Sequence, residues 1–224
     1  MIIDFNITNY CNARCPTCKR FDPDKYLELA EGIKLIHMNF EDFKNVIERN
    51  KETYKDYDCY FCGEFGDPLM HPKIKEFAEL ANNTFKHLTI YSNGGVKKDE
   101  FFKYVIETEN SITIRFGIDG LTHEINNKYR INVNTQLAFD NMFLMAKYGR
   151  AVWDYTIFEH NKHEIEDVIE LANHHDILLM LRCNLRPSKF GVNRITKSDY
   201  DDFVSISKKY KDWDKVQFDT FWVN

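Results

Sequence analysis

Apolar residues recur along this chain in two rhythms that take turns. Short runs rich in Ile, Val, Tyr and Phe, each ending near Gly, Asn or Asp, predict strands at 2–8, 57–62, 87–92, 111–119, 151–158 and 177–184. Between them apolar residues fall three and four apart, predicting helices at 40–53, 73–82, 99–108, 135–148 and 164–174. Ile165, Val168, Ile169 and Ala172 form the clearest of these stripes. A further helix is expected at 198–210, with Ser198 as N-cap and Asp199 and Asp201 in its first turn. A short strand at 216–223 follows it. Six successive strand-then-helix units imply parallel strands joined by right-handed crossovers. An open doubly wound sheet and an incomplete (βα)6 barrel both satisfy that order. No Pro/Gly/Ser-rich linker, charge block or repeat divides residues 1–224, so one domain is expected.

In either architecture the working residues gather at the strands' C-terminal ends. Those are the stretches 10–18, 63–72, 92–95, 119–130, 159–161 and 184–187, where the uncommon sequence is concentrated.

Composition narrows the picture. With 43% hydrophobic and 15% aromatic residues, nine Gly and five Pro, the chain is globular rather than disordered or collagen-like. Lys plus Arg is 30 against 35 Asp plus Glu, a net charge of −5, which gives no strong nucleic-acid signal. No apolar run approaches the length of a membrane span, and the first residues lack a secretory pattern. No membrane partner is expected, and the six cysteines read as thiols or metal ligands in a reducing, cytoplasmic setting.

Three of them stand together directly after the first strand, in Cys11-Asn-Ala-Arg-Cys15-Pro-Thr-Cys18. Thiolates are the ligands of iron–sulfur clusters, and a tight loop holding three of them can wrap one cubane. The fourth iron would then lack a protein ligand and stay open to chemistry. Positions 11, 15 and 18 also fit a buried helical stripe, but Pro16 opposes a helix there. A structural zinc would need a fourth ligand, for which His37 and His71 are the available choices.

This C-x3-C-x2-C spacing after a first strand resembles the radical S-adenosylmethionine (SAM) enzymes, and the resemblance extends over most of the chain. It implies the incomplete (βα)6 TIM-like barrel, an α/β fold with parallel strands. It also implies a [4Fe–4S] cluster on Cys11, Cys15 and Cys18, whose fourth iron is chelated by the amino and carboxylate groups of SAM. Reduction by an external electron donor such as a flavodoxin or ferredoxin then yields a 5′-deoxyadenosyl radical that abstracts hydrogen from a substrate. Thr17 stands where many members carry an aromatic residue.

The other strand ends extend the likeness. Gly63-Glu-Phe-Gly-Asp-Pro68 is an ordinary turn by composition. It resembles the family's Gly-Gly-Glu-Pro segment, which implies that Phe65, Gly66 and Asp67 meet the SAM ammonium. Ser92-Asn93-Gly94 resembles Thr-Asn-Gly and makes Ser92 and Asn93 candidates for SAM's methionyl end. In strand four, alternation puts Arg115, Gly117 and Asp119 on one face, where an internal Arg115–Asp119 pair is the plain reading. Likeness to Ser-Ile-Asp-Gly in peptide-modifying members instead places Asp119 on the ribose or substrate side. Arg130, in a Tyr-Arg pair, is a candidate for SAM's carboxylate, a substrate acid or a solvated loop position. His160 and Asn161 are candidates at the pocket mouth. The region around strand five resembles SPASM-type members, which favours a peptide or protein substrate over a small molecule or nucleotide. A non-catalytic zinc or cluster module is the alternative of another class. Cys59, Cys62 and Cys183 are expected to stay outside the cluster, so the chain carries a single cubane and no cysteine-rich C-terminal domain.

Overall fold

A computed structural model describes residues 1–109, 112–183, 195–210 and 215–218. Seven strands run β1 (Ile2–Asp4), β2 (Asp58–Phe61), β3 (His87–Ser92), β4 (Ile112–Gly117), β5 (Ala151–Ile157), β6 (Leu178–Cys183) and β7 (Val216–Phe218). All neighbours pair in parallel, in chain order. A sheet that winds in one direction has no switch point, which selects the incomplete barrel over the doubly wound sheet. Among the described residues β1 pairs only with β2 and β7 only with β6, so the barrel is not closed.

The helices are α1 (Phe40–Tyr54), α2 (Ile74–Asn82), α3 (Asp99–Glu107), α4 (His123–Asn127), α5 (Thr135–Ala146), α6 (Ile165–His174) and α7 (Lys197–Lys209). Their apolar stripes cover the outer face of the strands. Ile165, Val168, Ile169 and Ala172 of α6 are all buried, as the spacing predicts. In β4 the alternation is strict. Ile112, Ile114 and Phe116 are buried outward, whereas Arg115 and Gly117 line the lumen. Trp153 and Tyr155 of β5 are fully buried, and each satisfies its polar atom. The Trp153 indole donates to the Ile118 carbonyl at 2.9 Å, and the Tyr155 hydroxyl donates to Glu164 at 3.0 Å.

Most limits shift by one or two residues, and three features depart further from the pattern. β1 stops at Asp4 because the edge strand leaves the ladder early: Thr8 already pairs antiparallel with His37, turning the chain into the cysteine loop. The one-turn α4 is too short to show a periodicity. α7 is capped by Thr196, not Ser198. The Thr196 side chain accepts from the Asp199 N–H, while the Asp199 carboxylate accepts from the Thr196 N–H at 2.8 Å. Residues 111, 184 and 219–223 of the expected strands lie outside the described residues.

Asp199 also takes a 2.8 Å bond from Lys162, tying α7 to the turn before α6. Hydrogen bonds from Lys162 and Thr196 hold its carboxyl down at about 2. A depressed folded pKa contributes stability that is present above the ordinary carboxylate range and lost as pH falls toward that value. Asp199→Ala is therefore expected to destabilise the protein by about 1 kcal/mol at neutral pH. Urea unfolding at pH 7 and pH 3 would check it, with the difference shrinking at the lower pH.

Candidate active site

The cysteine loop is shaped by its own backbone and by one buried cation. The Cys18 N–H donates to the Cys15 carbonyl at 3.0 Å, and the Ala13 N–H points at the Cys11 sulfur at 3.3 Å. Arg20, only 4% exposed, gathers the loop from below. Its guanidinium donates to the carbonyls of Cys11 and Ala13. Sequence reasoning missed Arg20, since an arginine two residues past a cysteine has no distinctive spacing.

The Gly66 turn lies against this loop. The Asp67 N–H donates to the Tyr10 carbonyl at 2.8 Å. A Cβ built on Gly66 would sit 2.3 Å from the Thr8 carbonyl oxygen and 2.8 Å from that of Tyr10. Both are backbone atoms, so only glycine fits. Together these segments form one wall of a cavity of about 390 Å3. Cys11, Cys15 and Cys18 line it, as do Gly66, Asp67, Ser92, Asn93 and Arg130.

Four residues expected at the pocket do not line it: Phe65, Asp119, His160 and Asn161. The Phe65 side chain lines a separate apolar groove with Phe5, Ile36 and Val46. Asp119 is fully buried and does not line the cavity. It acts through its neighbours. One oxygen accepts from the Arg130 Nε at 2.6 Å, the other from the Thr156 N–H at 2.7 Å. Burial pushes the Asp119 carboxyl up and the Arg130 charge opposes that push. Arg130 is thus a half-buried, paired cation rather than a solvated one, with its Nη1 4.0 Å from the Cys15 sulfur. A Cβ on Gly117 would lie 2.6 Å from Arg130 Nη2, so the glycine makes room for the guanidinium.

The plain Arg115–Asp119 pairing is not formed. Arg115 donates instead to Asp154, its Nε at 2.9 Å from one carboxylate oxygen. The reason is register: Gly117 of β4 pairs with Asp154 of β5, so Arg115 and Asp154 share the lumen face, whereas Asp119 lies beyond the strand. Asn161 is fully buried and structural, donating to the carbonyls of Asp119 and Thr156 at 2.9 Å each. His160 stacks on Phe158, and neither residue lines the cavity. Burial, chiefly, holds the His160 imidazole at about 4.

Asp67 is 3% exposed and both its oxygens are occupied. One accepts from the Leu69 N–H at 3.0 Å. The other accepts from the Ser92 hydroxyl at 3.0 Å, the Asn93 N–H at 2.8 Å and the Asn93 amide at 2.7 Å. Its carboxylate organises Ser92 and Asn93, leaving backbone to face a ligand. Asp67→Asn puts an amide N–H against one of these donors, and is expected to destabilise the protein by about 1–3 kcal/mol. Thermal unfolding of the cluster-free protein measures this; an unchanged melting temperature would contradict the bonding described.

Whether the residues suit a cluster can be judged from the donor set. Burial pushes the Cys11 thiol to about 12 and the Cys15 thiol to about 11. Such thiols ionise when iron replaces the proton, which couples binding to proton release. Among the described residues no three His, Cys, Asp or Glu converge on a single ion. The candidate zinc ligands are engaged elsewhere: His37 bonds Thr8 at 2.8 Å, and His71 bonds the Met38 carbonyl at 3.2 Å. Three thiols on one wall of a polar cavity, beside a glycine cradle, suit a three-cysteine cubane with an open iron. Thr17 and the Tyr129 hydroxyl are hydrogen-bonded at 2.8 Å, bringing that half-buried ring to the cavity.

The fold and this site define a member of a known class: the Radical SAM superfamily model matches residues 5–172, and the chain belongs to that superfamily. The chain is similar to the antilisterial bacteriocin subtilosin biosynthesis protein AlbA of Bacillus subtilis, with 22% identity over 168 residues, covering 74% of this chain and 35% of AlbA. Streptococcus suis SuiB bound to S-adenosylmethionine superposes with a TM-score of 0.73 at 12% identity, covering 100% of this chain and 50% of SuiB. Native anSMEcpe with bound AdoMet gives 0.71 at 15% identity, covering 97% and 63%. At such identities the two structures show the fold alone. The chain spans about a third of AlbA and half of SuiB. No helix among the described residues is long and apolar enough to cross a membrane.

Proposed function

We propose that this chain is the catalytic core of a radical SAM enzyme acting on a peptide or protein. The observation that carries the reading is the convergence of Cys11, Cys15, Cys18, Gly66 and Arg130 on one cavity. When bound, a [4Fe–4S] cluster reduced by a flavodoxin or ferredoxin supplies the electron that cleaves SAM to methionine and a 5′-deoxyadenosyl radical able to take hydrogen from a substrate. The residues of this chain bind and orient. The loop cysteines hold three irons, Arg20 holds the loop, and the Gly66–Asp67 backbone with Ser92 and Asn93 meets the methionyl amino group. Arg130, anchored by Asp119, faces its carboxylate. The peptide substrate is supported by the relatives: AlbA is named for bacteriocin biosynthesis, and SuiB is seen with its precursor peptide SuiA.

Cys59 is fully buried and does not line the cavity, which supports the expectation of one cubane per chain. Anaerobic reconstitution should load about four irons per chain. With dithionite and SAM the product should release methionine and 5′-deoxyadenosine in equal amounts. A colourless zinc protein that leaves SAM intact would refute the proposal.

A further inference from the structure

The cavity has a second charged cluster, on the β4–β6 side, built from other segments than the loop that supplies the thiols. Arg115, Asp154 and Arg182 come from successive strands and all line the lumen. Asp154 is held by Arg115, through Nε at 2.9 Å and through a second, shorter contact from Nη2. Arg182 reaches the same carboxylate only at 3.7 Å, beyond hydrogen-bond distance. Its Nε is buried and has no partner among the described residues. Two guanidiniums therefore share one carboxylate, and no other described carboxylate pairs with either. The rest of the Arg182 side chain is 42% exposed toward the cavity, so its guanidinium is open to a ligand. A buried N–H without an acceptor is unfavourable, and a planar guanidinium fork matches a carboxylate on two bonds. Arg115 is also fixed in place: its guanidinium lies 5.0 Å from the centroid of the Tyr91 ring, itself a lumen residue. Cys62 borders the cluster and feels the charge of both arginines. Arg130, the cation proposed for SAM, is already satisfied by Asp119 and belongs to the cysteine side.

We infer that Arg115 and Arg182, braced by Asp154, form a subsite for a carboxylate of the substrate, so that the group presented to the radical carries an acidic anchor nearby. This deepens the proposed function and rests on it. Three probes separate the sources of a carboxylate: N-acetyl-glutamic acid α-methylamide carries it on the side chain, N-acetyl-glutamine carries it at the chain end, and N-acetyl-glutamine methylamide is neutral. Each would be titrated into the reconstituted, SAM-loaded protein and followed by calorimetry or ligand-observed NMR. One of the acids should bind at least about fivefold tighter than the neutral amide, roughly 1 kcal/mol of preference. A side-chain preference identifies an Asp or Glu anchor, and a chain-end preference identifies a terminal one. Arg182→Gln should abolish the preference, and Arg182→Lys, which keeps charge without the fork, should restore only part of it. Absence of any preference in a protein that cleaves SAM would overturn the subsite and leave the proposed function standing. So would an Arg182→Gln variant whose SAM affinity falls as much as its probe affinity, because the pair would then serve SAM itself. Failure of the parent protein to cleave SAM refutes the proposed function instead, whatever the probes do.

Discussion

Alanine at Cys11, Cys15 or Cys18 is expected to reduce reductive SAM cleavage to the rate seen without protein. Each thiolate in a three-cysteine loop would hold one iron, and with two protein ligands a second iron would be left unheld, so the cluster would not be retained. The one complication is Cys62, which lines the same cavity although the sequence places it on a separate strand. It lies outside the loop, one residue past β2, where its N–H donates to the Asp4 carboxylate at 3.4 Å. It also borders Arg115 and Arg182 in the cavity lining, so the three-cysteine assignment leaves it without iron. Iron analysis and 5′-deoxyadenosine release, measured on each single variant and on Cys62→Ala, check this. Loop variants should lose both signals and Cys62→Ala should keep its iron. A loop variant that retains both would overturn the ligand assignment.

Arg130→Gln is expected to destabilise the protein by about 3–5 kcal/mol, the range for removing one partner of a buried ion pair. Asp119 has no solvent to turn to, and only the Thr156 N–H would remain on its carboxylate. For a domain of this size the melting temperature should fall by roughly 10 °C. The double variant Asp119→Asn with Arg130→Gln should recover part of that loss, because the orphaned charge is gone. Arg130→Lys should sit between, since an ammonium keeps the charge and loses the fork. Calorimetry of the cluster-free proteins separates this from any effect on SAM. A loss below about 1 kcal/mol for the single change would mean that Asp119 finds water after all.

What could be read in advance divides along a physical line. β3, His87–Ser92, matches the predicted limits because an alternating apolar run bounded by Asn-Gly is a local signal. The cysteine loop is equally local. The outer stripe of α6 is local too, since its period is written in four residues. Long-range pairing is not. Nothing in the sequence says that Arg115 meets Asp154, 39 positions on, rather than Asp119, four positions on. That choice belongs to strand register, which is set by the whole sheet. Asp67 shows the same limit: its position in a Gly-Asp-Pro turn is legible, but its four donors come partly from β3, 25 and 26 residues away. Thr196 and Ser198 are both capping residues, and the reciprocal bond with Asp199 puts the cap at Thr196.

The central claim is that a three-cysteine cubane at this loop presents an open iron to SAM. Its most direct test is electron–nuclear double resonance on the reduced, reconstituted protein mixed with SAM carrying 15N in its methionyl amino group. A hyperfine coupling from that nitrogen, strong enough for direct ligation, is expected, and it should be absent in Cys15→Ala. A reduced cluster whose spectrum is the same with labelled and unlabelled SAM would contradict it.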